Sequence, residues 1–171
     1  LSLHDALPIL LFWLLATMGL NIYQESARLP QLTLRNAAGE SVQLADYTGK
    51  PLVINLWATW CPPCRREMPV LQKAQAERED VVFLFVNQAE SQQTVTGFIA
   101  DQGLHLRNVL FDGSGKLAQS VGSMALPTTI FYTADGRLRG SHLGELSNAS
   151  LARYLDNVDS DASPSHSRTT P

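Results

Sequence analysis

The chain has 171 residues, 44% hydrophobic and 17% charged, enough apolar material to bury one core and to exclude global disorder. A net charge of −3 argues against a nucleic-acid binder, which needs a basic face. Two cysteines are too few for a disulfide-stapled mini-fold or a four-cysteine zinc site, and His4, His105, His142 and His166 are scattered, so no metal is expected.

Leu1–Ile9 (LSLHDALPI) reads as translated sequencing-adaptor sequence and is set aside. Leu10–Leu20 (LLFWLLATMGL) is strongly apolar, and no charge occurs between Asp5 and Glu25. A membrane span needs about 20 predominantly apolar residues. Residues 1–28 are therefore read as the remnant of a signal anchor, with a cleaved signal peptide and a buried helix as alternatives. No small-x-small cleavage site follows the run, which favours an uncleaved anchor, and no cysteine follows it that could carry a lipid.

Gln31–Arg35 and Ser41–Leu44 flank Asn36-Ala37-Ala38-Gly39, the pattern of a β-hairpin closed by Gly39. Pro51–Ala58 (PLVINLWA) predicts a strand buried on both faces. A helix is expected from Pro62 to about Glu79, kinked by Pro69. Val81–Val86 predicts a second buried strand. Gln92–Gln102 predicts a helix with Val95, Phe98 and Ile99 on one face, stopped by Gly103. Asn108–Phe111 predicts a short strand and Lys116–Val121 a short helix. Thr128–Thr133, the turn Ala134–Arg137 and Leu138–Leu143 make a second hairpin. Leu146–Val158 predicts a closing helix with Leu151, Tyr154, Leu155 and Val158 inward. Asp159–Pro171 is polar, rich in Ser, Thr and Pro, and is read as a disordered tail. Strands alternating with helices give an α/β domain over residues 29–158, with an antiparallel hairpin at its C-terminal edge.

Trp60-Cys61-Pro62-Pro63-Cys64 falls where a buried strand gives way to a helix. A thiolate is the nucleophile of disulfide exchange, and a helix N-terminus lowers the thiol pKa from its usual value of about 8.5. Two intervening residues put Cys64 one turn from Cys61, within disulfide reach, with the Cys61 sulfur expected on the exposed edge. Pro62 and Pro63 suit a first turn, where a missing N–H costs little. Arg65 and Arg66 add positive charge nearby. A structural disulfide closing so short a loop would stabilise little, and half a metal site would lack its other ligands. Redox chemistry is the reading these residues favour.

Val53–Pro69 (VINLWATWCPPCRREMP) resembles the thioredoxin superfamily and, within it, the TlpA/ResA-type membrane-tethered thiol–disulfide oxidoreductases, over roughly Leu29–Val158. The resemblance implies a thioredoxin-like fold: a mixed central sheet flanked by helices, with an N-terminal β-hairpin and a central αβ insertion. It implies a Cys61/Cys64 dithiol–disulfide cycle that reduces protein disulfides outside the cytoplasm. That places the chain on the periplasmic face of a bacterial inner membrane, as a monomer held by its anchor. No cofactor is implied. The partners implied are protein disulfide clients, apocytochrome c among them, and an upstream membrane thiol reductant. Leu126-Pro127-Thr128 matches the cis-proline segment that faces the cysteines, so Leu126 and Pro127, with Trp60 and Pro62, are the expected client-binding residues. Glu67 matches an acidic residue near the cysteines; the alternative is a glutamate favoured by the helix start. Cytoplasmic thioredoxins carry a buried Asp where this chain has Asn55, so Glu67 is the candidate acid–base group. Trp57 and Trp60 are expected to shield the site and to pack beneath it, core packing being an equal role for Trp57. Val121–Thr128 departs from the Gly-Val-x-Gly-x-Pro-Glu segment usual in the branch dedicated to cytochrome c maturation, which favours a general reductase. A disulfide-donating oxidase and a redox-inert binding module are the competing functions.

Overall fold

The computed structural model describes residues 9–18 and 28–159. The adaptor-like residues 1–8, residues 19–27 at the end of the apolar run, and residues 160–171 of the expected tail lie outside the described residues. Residues 9–18 are helical, and Phe12, Trp13, Leu14 and Leu15 are exposed there, outside both cores. Among the described residues no helix is long and apolar enough to cross a membrane.

Seven strands form one mixed sheet: β1 (Thr33–Asn36), β2 (Ser41–Gln43), β3 (Leu52–Trp57), β4 (Val82–Gln88), β5 (Val109–Asp112), β6 (Thr128–Tyr132) and β7 (Leu138–Leu143). Their order is β2-β1-β5-β4-β3-β6-β7. β3 lies at the centre, parallel to β4 and antiparallel to β6. Every residue of β3 is buried, as its mostly apolar run suggests for a strand covered on both faces, with Asn55 its one polar member. The expected N-terminal hairpin is β1–β2, with Gly39 at φ 81 and the Asn36 side chain accepting from the Ala38 and Glu40 N–H groups. It ends one residue early, because Leu44 opens a 3-10 turn over Leu44–Tyr47.

The helices are α1 (Pro62–Glu77), α2 (Gln92–Asp101), α3 (Lys116–Ser120) and α4 (Asn148–Asp159). Helix α1 runs on through Pro69. Together α2 and β5 are the αβ insertion, which places β5 between β4 and β1. Gly103, at φ 60, follows α2. Buried Asp112 accepts from the N–H groups of Lys116, Leu117 and Ala118 and so caps α3. Helix α4 takes in Asp159, which the composition had assigned to the tail. It starts at Asn148 rather than Leu146, because the Ser147 hydroxyl accepts from the Ser150 N–H and so caps the helix there.

Alternation along the strands splits the core in two. One side gathers Val53, Trp57, Phe83, Phe85 and Phe131 under α1, α2 and α4, with both cysteines. The other gathers Ile54, Leu56, Leu84, Val86 and Ile130 with Leu44 and Leu117.

Candidate active site

Strand β3 ends at Trp57, and its continuation delivers Cys61 to the mouth of α1, at the carboxyl edge of the sheet where α/β proteins place their sites. Cys61 is the N-cap of α1, with φ −91 and ψ 106, and its Sγ accepts from the Cys64 N–H at 3.3 Å. Pro62 and Pro63 fill the first turn, where no intrahelical acceptor awaits their missing N–H groups. Cys61 and Cys64 are joined by a disulfide, with their Cα atoms 5.3 Å apart.

Cys64 is fully buried and Cys61 is 3% exposed, so the Cys61 sulfur is less open than the motif suggested. The reason is packing: both cysteines belong to the apolar cluster of Trp57, Met68 and Leu71, with Leu126 lying against it. Trp60 is 68% exposed and forms the rim, whereas Trp57 is wholly core and packs on Phe98 at 5.8 Å. Pro62 is exposed beside the disulfide and Pro127 is buried. The Leu126–Pro127 peptide bond is cis, as the resemblance implied. Neither arginine is a loose charge: Arg65 lies over the Phe98 ring at 5.4 Å, and Arg66 pairs with Glu145 at 2.7 Å.

Glu67 sits beyond the first turn of α1, one turn past Cys64, and is fully buried. The bland role at the helix start therefore does not describe it. Its Oε1 accepts from Asn55 Nδ2 at 2.8 Å and its Oε2 from the Leu146 N–H at 2.8 Å. Asn55 also donates to Thr129 Oγ1 at 3.0 Å, its register partner across β3 and β6. Burial pushes the Glu67 carboxyl up to about 7, the two donors pull it down, and the charge of Glu145 adds to the rise. The site thus holds a disulfide at a helix mouth and a carboxyl that changes charge near neutrality.

Residues 24–156 match the Redoxin family. The chain belongs to that family. The thioredoxin-like protein YneN of Bacillus subtilis (strain 168) is 32% identical, with 86% of this chain and 94% of that protein covered. The thiol-disulfide oxidoreductase ResA of Halalkalibacterium halodurans is 30% identical, with 75% of this chain and 74% of that protein covered. Among solved structures, the exposed lipoprotein thioredoxin of Streptococcus pneumoniae strain TIGR4 is 28% identical with a TM-score of 0.64, covering 74% of this chain and 98% of its own. With its closed Cys61–Cys64 pair, this redoxin is a thiol–disulfide oxidoreductase of the TlpA/ResA type.

Two parts of the redoxin site escaped the motif reading. The donors to Glu67 come from Asn55 and from the main chain of Leu146, on β3 and in the loop before α4. The second part is Glu90, which binds Thr59 just before the cysteines. Its signal in the sequence is a polar cluster, Asn87-Gln88-Ala89-Glu90, at the end of an otherwise apolar strand.

Proposed function

We propose that this oxidoreductase works as a reductant of protein disulfides on the outer side of a bacterial cytoplasmic membrane. Cys61 attacks, Cys64 resolves and Glu67 carries protons. The observation that carries this reading is Cys61 at the N-cap of α1 with Cys64 and buried Glu67 on the following turns. The Cys61 thiolate attacks one client sulfur and forms a mixed disulfide with it, while the client S–S bond breaks and the other client sulfur leaves as thiolate. Glu67 takes the Cys64 proton; Cys64 then attacks Cys61 Sγ, closing the disulfide and releasing the client sulfur bound there. Two client thiols form as two protein thiols are oxidised, and an upstream membrane thiol donor restores the dithiol. Exposed Trp60 and Pro62, with Leu126 and Pro127, form the client-binding rim. General clients are favoured over dedicated service to apocytochrome c, because Val121–Thr128 departs from that branch's segment. The outer location is supported by the exposed apolar helix at residues 9–18, read as part of an anchor, and by the relative named as an exposed lipoprotein.

The residues between the cysteines support the reductant direction. Strong oxidants hold a very stable thiolate, which takes nearby donors. Pro62 and Pro63 have no N–H to give, and Arg65 and Arg66 are engaged by Phe98 and Glu145. The full chain, equilibrated against a glutathione or dithiothreitol series, should show a potential nearer the −270 mV or so of thioredoxin than the −120 mV or so of DsbA. A value above about −150 mV on that scale would replace the reductant with the oxidase.

A further inference from the structure

One carboxylate outside the cysteine–Glu67 system gathers three donors at the strand ends that carry the site. Glu90 Oε2 accepts from the Thr59 main-chain N–H at 2.8 Å and from Asn87 Nδ2 at 2.7 Å. Glu90 Oε1 accepts from the Thr59 hydroxyl at 2.5 Å. The parallel ladder between β3 and β4 ends at the pair Trp57–Asn87, so Thr59 lies past its last rung. The Glu90 side chain supplies the acceptor that a continuing strand would have offered. The backbone accepts strain to do this. Ala89 is held at φ 60, in the left-handed region that favours glycine, and its N–H is tied to the Asp112 carbonyl on β5. Asn87, the third donor, is itself buried.

We propose that Glu90 is a positioning residue for the exchange reaction, acting through Thr59 to hold Cys61 in the N-cap geometry where its sulfur accepts the Cys64 N–H. Cys61 follows Thr59 by two residues, and its own N–H bonds the Ala58 carbonyl at 3.3 Å, so the segment between strand and helix is short and held at both ends. When Thr59 is released, Cys61 loses the constraint that keeps its sulfur over the helix mouth, and with it part of the stabilisation of its thiolate. The proposal rests on Cys61 being the attacking sulfur, a role read separately by client trapping.

The test uses the full chain in a Cys64→Ala background, where Cys61 is the single thiol and its thiolate absorbance gives a clean titration. The other charged groups around the cysteine turn, Arg65, Arg66, Glu67 and Glu145, are unchanged in every variant compared. Glu90→Gln can keep all three contacts: its carbonyl accepts from Thr59 N–H and Asn87, and its amide donates to the Thr59 hydroxyl. Glu90→Ala keeps none. The expected result is a Cys61 midpoint raised by about half a unit in Glu90→Ala, about a threefold loss of thiolate below the midpoint, and a Glu90→Gln midpoint within about 0.2 unit of the parent. Equal downward shifts in both variants would make Glu90 merely a charge and overturn the proposal. An unchanged midpoint with a lower Tm would also overturn it, leaving Glu90 a stability role alone. If Glu90→Ala does not fold, Thr59→Val removes the hydroxyl contact alone and should move the midpoint up by a smaller amount; no movement there overturns the proposal.

Discussion

Asn55 offers Glu67 a partner for either protonation state. Its Nδ2 donates to the carboxylate, while its Oδ1, equally buried, has no hydrogen-bond partner among the described residues. A half turn of the amide would present that oxygen to a protonated Glu67, with the Thr129 hydroxyl donating to the same atom. The same rotation accommodates Glu67→Gln, so this variant should fold. Its stability should differ from the wild type in a pH-dependent way. The folded-state carboxyl, at about 7, lies above its ordinary value of 4.5, so the folded state binds the proton more tightly than the unfolded chain. Wild-type stability from this group is full below the unfolded value and is lost as pH rises through about 7, by on the order of 3 kcal/mol, while the Gln variant lacks that slope. Urea unfolding of both proteins at pH 5 and pH 8 measures it, and parallel changes would refute the assignment. Loss of the carboxylate should also lower the pH at which Cys61 becomes a thiolate, since a negative neighbour no longer opposes it. The cysteines themselves should divide their labour: Cys64→Ala traps clients as mixed disulfides and Cys61→Ala traps none, whereas equal trapping by both would reverse the order of attack.

At the scale of the elements, β7 and α4 meet through a glycine. A Cβ on Gly140 would lie 3.1 Å from Cε1 of Tyr154. That ring cannot retreat: it stacks on buried Phe131 at 4.3 Å, and its hydroxyl donates to the Ser141 carbonyl at 3.1 Å. Gly140→Ala should therefore destabilise the domain by about 1–3 kcal/mol, read as a lower urea midpoint with an unchanged m-value. This contact was not legible from the chain, because nothing local to Arg139-Gly140-Ser141 announces a tyrosine from the closing helix. The elements themselves were legible where side chains report burial, as in the mostly apolar run of β3. Their ends were less so. Strand β4 continues through polar Asn87 and Gln88, because main-chain pairing with Phe111 and Asp112 asks nothing of the side chains. The same contrast runs through the site. The cysteine turn is local and readable, and Glu67 is picked out by its match to the family's acidic residue near the cysteines. The partners that give Glu67 its proton affinity and Thr59 its anchor come from distant segments that only the folded sheet brings close.

For the molecule as a whole, the sheet order sets where the chemistry can sit. Helices α1, α2 and α4 cover one face, and the cysteine turn emerges at the carboxyl edge of the two central parallel strands. The scaffold beneath Cys61 is thus the most deeply paired part of the domain, while Trp60 at the rim faces solvent. The same order has a consequence for how the chain comes together during synthesis. The β1–β2 hairpin is made before the other strands, yet among the described residues its one neighbour in the sheet is β5, where Arg35 pairs with Phe111. Between them the ribosome must deliver β3, the cysteine helix, β4 and α2. Strand β3 likewise waits for β6, through the pairing of Asn55 with Thr129, before its second flank is closed. Under the export proposed above, a nascent chain carries both cysteines into an oxidising compartment while the sheet that shelters them is still incomplete, and each has the other, three residues away, as its one thiol partner in the sequence.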